Sequence, residues 1–294
     1  MILRCRDRVL ELSKRTLVMG IVNVTPDSFS DGGRYLEPGA AIARCRELVE
    51  QGADLLDLGA ESTRPGSQPV PPEEQIRRLE PVLRALAERP PSGRPEGPLT
   101  GRPEAALISV DTRSAPVAAR ALELGAHMIN DVSALADPAM AATVAASGAA
   151  LVLMHMRGTP ATMQDDPRYD DVAREAATFL RERMALAREA GVAEECLAVD
   201  PGIGFGKAVT HSLELLARLD ELARLGRPVL VGASRKRFLG ALIGEMPVER
   251  RLEASLAAAV IAAWGGAAIV RAHDVIETVR VLRVTDAVRA ARRA

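Results

Sequence analysis

Short apolar runs alternate along the chain with longer segments in which apolar residues recur every three or four positions. The short runs predict eight strands, at residues 17–22, 55–58, 107–110, 127–129, 149–154, 197–199, 228–231 and 267–270. The longer segments predict eight helices, at residues 40–51, 73–88, 115–124, 138–147, 170–190, 213–225, 250–264 and 275–292. The strand segments are largely continuous apolar runs, which is typical of parallel strands buried on both faces.

Eight consecutive strand–helix units predict an α/β fold, a single-domain (β/α)₈ TIM barrel over residues 1–294. An open doubly wound sheet is the alternative, although no Gly-x-Gly-x-x-Gly follows the first strand, which disfavours its dinucleotide-binding form. Capping signals support two helix starts, at Asp137 before a proline and at Asp274 with Glu277 three positions later. Residues 88–105 are rich in Pro and Gly without apolar periodicity, and they predict a surface insertion.

The composition favours a protein that acts on small molecules in the cytoplasm. A net charge of −1 and 2% aromatic residues are atypical of a nucleic-acid-binding surface. No apolar run reaches the length of a membrane span, about 18 residues, and the first residues lack the apolar stretch of a secretory signal. The cysteines Cys5, Cys45 and Cys196 are odd in number and widely spaced, as expected in a reducing compartment and not in a metal cluster.

Polar residues follow every predicted strand, and in a barrel the C-terminal strand ends surround one mouth. In chain order they are Asn23; Glu61, Ser62, Thr63 and Arg64; Asp111; Asn130 and Asp131; His155; Asp200; Ser234, Arg235 and Lys236; Arg271 and His273. This set contains both asparagines of the chain and one of its three lysines. Because the sequence otherwise uses arginine as its base, these rare residues are candidates for specific chemistry.

The strand-end residues divide into two chemical groups. The donors and acceptors of a flat polar heterocycle are matched by Asp111, Asn130, Asp200 and Lys236. A phosphate or diphosphate is matched by Asn23, Thr63, Arg64, Arg271 and His273. The helix that begins near Asp274 adds its N-terminal amides at the usual phosphate position of such barrels.

The segment Asn-Val-Thr-Pro-Asp-Ser-Phe-Ser-Asp-Gly-Gly at residues 23–33 predicts a long loop at the mouth. The amide oxygen of Asn23 suits Mg²⁺, a hard cation that needs few protein ligands when a diphosphate supplies others. A hinge at the two glycines would let Phe29 fold over the site and exclude water. Residues 62–72 form a second loop of this kind, with a hinge at Gly66.

Eight motifs occur in the order found in bacterial dihydropteroate synthases, and the chain resembles that family over residues 16–285. They are NVTPDSFSDGG, LLDLGAESTRPG, SVDTR, INDVSA, LMHMRGTPATMQ, DPGIGFGK, GASRKRFLG and VRAHDV. The resemblance implies a (β/α)₈ barrel that joins 6-hydroxymethyl-7,8-dihydropterin diphosphate to 4-aminobenzoate, giving 7,8-dihydropteroate and diphosphate with Mg²⁺ as cofactor. It also implies a target of sulfonamides and a homodimer formed through the later barrel helices.

The resemblance assigns a role to each matching residue. Pterin binding is implied for Asp111, Asn130, Met154, Asp200, Lys236 and Arg271, with Met154 below the ring and Arg271 stacked over it. Diphosphate binding is implied for Asn23, Thr63, Arg271 and His273, and Mg²⁺ binding for Asn23. The 4-aminobenzoate pocket is implied for Thr63, Arg64, Pro65, Phe205 and Lys236, and loop closure for Asp27, Phe29 and Asp31.

Two positions depart from the family pattern. Arg237 stands where the family often has a serine that contacts the 4-aminobenzoate carboxylate, and Ala60 stands where a glycine is commoner and adds a methyl group beside the site. The implied catalytic set is Asn23, Asp111, Asp200, Lys236, Arg271 and His273. Because no His lies near a Ser or Cys in a nucleophile motif, the hypothesis is a dissociative substitution in which the diphosphate leaves before the amine attacks.

Several alternatives stay open on the sequence. Lys236 at a strand end also fits a Schiff-base aldolase, and the pattern of Asp111, Asn130 and Asp200 also fits a pterin-binding methyltransferase or an inactive pterin carrier. Simpler structural roles compete at single residues. Asp111 also fits a cap of the next helix together with Ser114, Phe205 also fits a packing residue, and Lys207 also fits a surface residue. Structural roles are expected for His127, His155 and His211.

Overall fold

Eight parallel strands form a sheet whose two ends meet. The computed structural model describes residues 1–25, 38–62, 67–89, 105–159 and 162–293. Its strands are β1 (Ile2–Cys5), β2 (Arg8–Glu11), β3 (Leu17–Asn23), β4 (Leu55–Gly59), β5 (Leu107–Asp111), β6 (Met128–Asp131), β7 (Ala150–Met154), β8 (Leu197–Asp200), β9 (Leu230–Val231) and β10 (Ile269–Ala272). The sheet order is β8-β7-β6-β5-β4-β3-β10-β9, and a parallel bridge between Val199 and Val229 joins β8 to the start of β9. The predicted (β/α)₈ barrel is confirmed, and the open doubly wound sheet is wrong.

Helices surround the barrel and cover the outer faces of its strands. They are α1 (Pro38–Glu50), α2 (Pro72–Glu88), α3 (Ala115–Glu123), α4 (Met140–Ser147), α5 (Val172–Glu189), α6 (Val209–Ala217), α7 (Leu219–Ala223), α8 (Arg237–Leu242), α9 (Leu252–Trp264) and α10 (Val275–Arg293). The buried faces of the helices and the outward side chains of the strands form one apolar core, which includes Leu48, Leu83, Val117 and Leu180. Among the described residues, no helix is both long and apolar enough to span a bilayer.

Two helix predictions need correction. The helix predicted from Pro138 begins two residues later, at Met140. The Asp137 carboxylate accepts the N–H of Ala139 at 3.0 Å, as the predicted cap requires, and its other oxygen accepts the N–H of Ala115 at 2.8 Å, at the start of α3. The single helix predicted over residues 213–225 is two helices, α6 and α7, separated at Arg218. The short helix α8 was not predicted.

The N-terminal residues form a hairpin that the apolar pattern did not predict. Strands β1 and β2 pair antiparallel, with Leu3 opposite Leu10, and both leucines are buried. They pack in a cluster with side chains from the N-terminal ends of the barrel strands, such as Leu17 and Leu55. The hairpin therefore closes the bottom of the barrel, and its alternation over only four residues per strand, among several charges, explains why the pattern was missed.

The predicted insertion at residues 88–105 connects the end of α2 to the start of β5. Residues 90–104 lie outside the described residues. The insertion leaves the fold at the end of α2 and returns just before the N-terminal end of β5, opposite the mouth. It is therefore attached away from the strand ends that carry the candidate chemistry.

Candidate active site

The strand register brings the polar strand ends to one level of the barrel. Asn23 on β3 is aligned with Gly59 on β4, Gly59 with Asp111 on β5, and Asp111 with Asn130 on β6. On the far side, Met154 on β7 is aligned with Asp200 on β8 in the same way. Continuous apolar strands of matched length fix this register, because a slip would move polar ends into the core.

Arg271, on β10, joins two carboxylates across the mouth. Its Nε donates to Oδ2 of Asp57 at 2.6 Å, and its Nη2 donates to Oδ2 of Asp111 at 3.0 Å. Burial raises the pKa of the Asp111 carboxyl to about 7, although the Arg271 guanidinium opposes the shift. The alternative that Asp111 caps the helix α3 with Ser114 is not what its contacts show, since Ser114 N–H donates to Thr112 Oγ1 at 3.2 Å.

Asn130 presents an acceptor that has no partner. Its Nδ2 donates to Oδ2 of Asp57 at 3.0 Å, while its Oδ1 is buried without a hydrogen-bond partner in the described structure. A buried carbonyl oxygen left unpaired costs about 1–3 kcal/mol. This atom therefore suits a ligand that brings an N–H or amino group into the mouth.

Asp200 and Lys236 lie on the opposite side of the mouth. Asp200 Oδ1 accepts the N–H of Gly202 at 2.6 Å, and burial raises the pKa of its carboxyl. The Lys236 ammonium donates to the carbonyl of Ile203 and lies 4.4 Å from the centre of the Phe205 ring. Burial lowers the pKa of Lys236 to about 8, with the Asp200 carboxylate opposing the shift.

Lys207 is buried, so the alternative that it lies at the surface is wrong. Its Nζ is 3.0 Å from Nδ1 of His155 and donates to the carbonyl of Phe205 at 2.9 Å. Burial lowers the pKa of His155 to about 3 and also lowers the pKa of Lys207 well below its ordinary value. The ammonium ties the loop after β8 to the end of β7, behind the mouth.

The remaining histidines divide between the mouth and the scaffold. Nδ1 of His273 lies 3.0 Å from Oγ of Ser234, directly before α10, and the carbonyl of His273 accepts from Arg44 at 3.1 Å. His127 and His211 have structural contacts, as predicted: their Nδ1 atoms accept the N–H groups of Ile108 and Ala208 at 3.2 Å.

The helix that follows His273 differs in one detail from the prediction. The Asp274 carboxylate accepts Nε of Arg235 at 2.9 Å and also pairs with the Nη2 atom of the same guanidinium. The predicted capping box with Glu277 is therefore replaced by an ion pair, and α10 begins directly after it at Val275. This pair fixes Arg235, which has a positive φ of 58°, in the loop that precedes Lys236.

Part of the predicted site lies outside the described residues. This applies to Thr63, Arg64 and Pro65 of the second loop and to Asp27, Phe29 and Asp31 of the first. Of the two departures, Arg237 is exposed at the first position of α8, whereas the methyl group of Ala60 is buried in the apolar core. The extra methyl group is thus accommodated by packing.

A metal at this mouth would have few protein ligands. The described residues contain no group of three or more His, Cys, Asp or Glu side chains arranged to hold an ion. Asn23 is exposed at the end of β3, where its amide oxygen is free to face solvent or ligand. This donor set fits Mg²⁺ held mainly by the oxygens of a diphosphate.

Asp57 contacts residues of the mouth, and the sequence alone supports no firm role for it beyond that of a barrel-internal or supporting carboxylate. It lies in the middle of β4, not at its end, and it contacts Ser109, Asn130 and Arg271. The available signal was one acidic residue inside an otherwise apolar strand, which demands a buried partner.

The chain is similar to known proteins along nearly its whole length. Residues 19–273 match the family model described as pterin binding enzyme. The dihydropteroate synthase of Escherichia coli strain K12 is 45% identical over 92% of this chain and 90% of its own length, and that of Synechocystis is 41% identical over 95% and 92%.

Solved structures agree with these matches. A dihydropteroate synthase from Xanthomonas albilineans in complex with 7,8-dihydropteroate has 43% identity and a TM-score of 0.84, with 98% of both chains covered. The enzyme from Thermus thermophilus in complex with 4-aminobenzoate has 44% identity and a TM-score of 0.82, with 98% of this chain and 99% of that one covered. The Yersinia pestis enzyme with a sulfonamide drug has 41% identity and a TM-score of 0.89, with 99% and 100% covered. With a barrel whose strand ends gather the buried acceptors of a pterin site, the chain belongs to the dihydropteroate synthase family of pterin-binding enzymes.

Proposed function

We propose that the chain is a dihydropteroate synthase that condenses 6-hydroxymethyl-7,8-dihydropterin diphosphate with 4-aminobenzoate, giving 7,8-dihydropteroate and diphosphate for folate synthesis. The observation that supports the assignment to this mouth is the unpartnered Oδ1 of Asn130. Asn130 is aligned with Asp111 on the adjacent strand, and Asp200 and Lys236 lie on the opposite side of the mouth. The relatives bound to 7,8-dihydropteroate and to 4-aminobenzoate support the same substrates here.

The pterin is held by matching donors with acceptors. Asp111, Asp200 and the Oδ1 atom of Asn130 accept from the ring N–H and amino groups, whereas Lys236 donates to a ring acceptor. Met154, buried at the end of β7 and aligned with Asp200, lies below the ring. When ionised, the two carboxylates stabilise positive charge on the pterin as the leaving group departs.

The diphosphate side of the mouth carries the guanidinium of Arg271, the imidazole of His273 and the amide of Asn23. Arg271, His273 and the predicted contact Thr63 hold the diphosphate, with Asn23 as the protein ligand of Mg²⁺. The Mg²⁺ ion supplies charge neutralisation on the departing diphosphate. The helix α10 begins two residues after His273, and a helix N-terminus favours an anion, which supports a diphosphate at this side.

The amine reacts at the methylene carbon after the carbon–oxygen bond to the diphosphate breaks. Its nitrogen forms the new bond to that carbon and then loses a proton. Phe205 and Lys236 form the described wall of the 4-aminobenzoate pocket, and Thr63, Arg64 and Pro65 are predicted to complete it. Because Asp27, Phe29 and Asp31 are expected to close over a bound diphosphate, the pterin substrate binds first.

The test is diphosphate release that depends on the amine. The chain is incubated with the pterin diphosphate and Mg²⁺, with and without 4-aminobenzoate, and release only in its presence supports the assignment. Asp200→Ala is expected to abolish pterin binding, as measured by calorimetry. Arg64→Ala is expected mainly to raise the KM for 4-aminobenzoate, as measured from initial rates of diphosphate release. Release without the amine, or unchanged pterin affinity in Asp200→Ala, would contradict the assigned roles.

The outer face of the last two helices supports a homodimer. Ile261 and Trp264 on α9, and Val284 and Val288 on α10, are each about half exposed or more. The guanidinium of Arg292 lies 5.7 Å from the Trp264 ring, so the C-terminal ends of the two helices are adjacent. Light scattering is expected to give the mass of a dimer for the wild type and of a monomer for Val284→Arg, whereas Leu186→Arg, at an exposed leucine of α5, is expected to stay dimeric.

The buried thiols support a cytoplasmic location. Cys5, Cys45 and Cys196 are free and buried, and burial raises the pKa of Cys5 and of Cys45 to about 12. Such thiols are unreactive, and chains that keep them reduced are typical of a reducing compartment.

A further inference from the structure

Asp57 accepts three hydrogen bonds at the centre of the mouth while it is completely buried. The hydroxyl of Ser109 donates to its Oδ1 at 2.6 Å, and its Oδ2 accepts Nδ2 of Asn130 at 3.0 Å and Nε of Arg271 at 2.6 Å. An ionised carboxylate can only accept, so each of these groups must present a donor to it.

The contact with Asp57 determines which way the Asn130 amide faces. Because Nδ2 is held by the carboxylate, Oδ1 is turned away from it, and it is buried with no partner in the described structure. The reversed amide would place two oxygens against each other and would offer a donor to the ligand. Asn130 therefore acts as an acceptor only as long as Asp57 holds it.

Asp57 also fixes the guanidinium of Arg271. Its Nε is bound to Asp57 and its Nη2 to Asp111, so the plane of the group is set by two carboxylates on adjacent strands. A guanidinium held at two points is oriented, whereas one held at a single point can rotate.

We propose that Asp57 is a positioning residue for the pterin: by accepting from Asn130 and Arg271 together, it presents the Asn130 oxygen and the Arg271 plane to the substrate. This inference rests on the proposed function, since it assumes that the ligand of these two groups is the pterin diphosphate. Asp57 itself acts through its neighbours and makes no contact with substrate in this scheme.

Asp54 provides a matched buried carboxylate with a purely structural position. It lies just before β4, is also completely buried, and pairs with Arg15 at 2.7 Å while it accepts the N–H of Val18 at 3.0 Å. These contacts lie at the N-terminal end of the strands, on the opposite side of the barrel from the mouth. Removing Asp54 takes the carboxylate partner from Arg15, whereas removing Asp57 leaves Arg271 paired with Asp111 alone, so each variant carries a folding penalty.

The experiment compares Asp57→Ala, Asp57→Asn and Asp54→Ala with the wild type. The dissociation constant of the pterin diphosphate in the presence of Mg²⁺ is measured by calorimetry, and the KM for 4-aminobenzoate is measured at saturating pterin diphosphate. Loss of supporting contacts of this kind typically costs about 10- to 100-fold in affinity or activity. Asp57→Ala is expected to weaken pterin binding by such a factor and to leave the KM for 4-aminobenzoate within about twofold.

Asp57→Asn tests the positioning role separately from packing. Its amide oxygen can turn to Asn130 and Arg271 while its NH₂ donates to Ser109, which reverses the Ser109 bond. All three contacts can form, but Arg271 is held less strongly because the charge of the carboxylate is lost. We expect affinity between that of Asp57→Ala and the wild type. If Asp57→Ala does not fold, Asp57→Asn carries the test alone and must bind more weakly than the wild type by about threefold or more.

The outcomes separate this inference from the proposed function. Asp54→Ala is expected to unfold at lower urea concentration but to bind the pterin diphosphate as the wild type does. Asp57 variants that bind within about twofold of the wild type, or an Asp54→Ala variant that loses as much affinity as Asp57→Ala, would overturn the positioning role. A wild type that releases no diphosphate in response to 4-aminobenzoate would instead refute the proposed function.

Discussion

The ionisable side chains at the mouth are buried, and burial moves their pKa values toward neutral pH. Burial raises the pKa of Asp111 to about 7 and lowers that of Lys236 to about 8. A single pKa unit corresponds to about 1.4 kcal/mol of differential stabilisation of the two protonation states. In the free site, Asp111 and Lys236 therefore gain or lose a proton close to neutral pH. A ligand that binds the Asp111 carboxylate favours its ionised form.

The protonation of Asp111 predicts how catalysis depends on pH. The ionised carboxylate accepts from the pterin through both oxygens and stabilises its positive charge, whereas protonation turns one oxygen into a donor and removes the charge. With a pKa of about 7, the population of the ionised form falls as the pH drops below that value. Since kcat/KM reports the free enzyme, we expect it to fall about tenfold per unit below about pH 7 for the pterin diphosphate. Initial rates of diphosphate release at low substrate concentration, from about pH 5.5 to 8.5, measure this profile.

Asp111→Asn is the control for this profile. The variant has no titrating group at this position, so its kcat/KM is expected to be low and to lack the fall below neutral pH. Any slope that it retains comes from other titrating groups, such as Asp200, Lys236 or the substrate, and is subtracted from the wild-type profile. Identical profiles in the two proteins would show that Asp111 does not control the dependence.

At this scale the sequence predicts the strand-end positions better than the interior ones. Because parallel strands end together, Asp111, Asn130 and Asp200 were correctly expected at one mouth. Asp57 has no firm role from the sequence alone, since its partners come from β5, β6 and β10 and depend on how the barrel closes. For Lys207 the sequence leaves a surface position open, because its burial depends on a loop that folds back over β7, which no local pattern encodes.

At the scale of elements, the loop after β8 is shaped by close approach of its backbone to the end of β7. Gly202 has a φ of +64°, and a Cβ atom there would lie 1.8 Å from the carbonyl oxygen of His155. The same glycine donates its N–H to Asp200, and the loop continues to Phe205 and Lys207. The glycine-rich motif that the resemblance identified is thus required by sterics, and it holds one wall of the mouth.

Gly202→Ala is expected to destabilise the fold severely. The left-handed conformation alone costs about 1–2 kcal/mol for a non-glycine residue, and the clash with the His155 carbonyl forces the loop away from β7. We expect a loss of about 3 kcal/mol or more in the free energy of unfolding, measured by urea denaturation, together with loss of pterin affinity.

Gly226 provides the comparison, since its φ is +76° but a Cβ atom there would meet nothing within 4 Å. Gly226→Ala therefore carries only the conformational cost, about 1–2 kcal/mol, and is expected to keep pterin affinity. Equal losses of stability in the two variants would mean that the contact with His155 contributes nothing.

For the whole molecule, the two ends of the barrel have different tasks. The hairpin of β1 and β2 closes the bottom with apolar side chains, and the ion pair of Arg15 with Asp54 is buried at that end, whereas the mouth holds the buried carboxylates that pair with Arg271. Strand periodicity was sufficient to predict the barrel, because eight continuous apolar runs leave few alternatives. It was insufficient for the hairpin, because a four-residue strand with one buried face carries too short a signal among charged neighbours.

The separation of the two ends predicts that the hairpin contributes to stability and not to binding. Leu3 is completely buried in the bottom cluster, and Leu→Ala changes in such positions typically cost about 2–5 kcal/mol. Leu3→Ala is expected to lower the free energy of unfolding in urea by this amount and to leave the dissociation constant of the pterin diphosphate within about twofold of the wild type. Val9→Ala, at a position of the same hairpin that is 55% exposed, is expected to cost less than about 1 kcal/mol. A loss of pterin affinity in Leu3→Ala at temperatures where it is fully folded would show that the bottom of the barrel is coupled to the mouth, because the rigid strands between them would then transmit the change in packing.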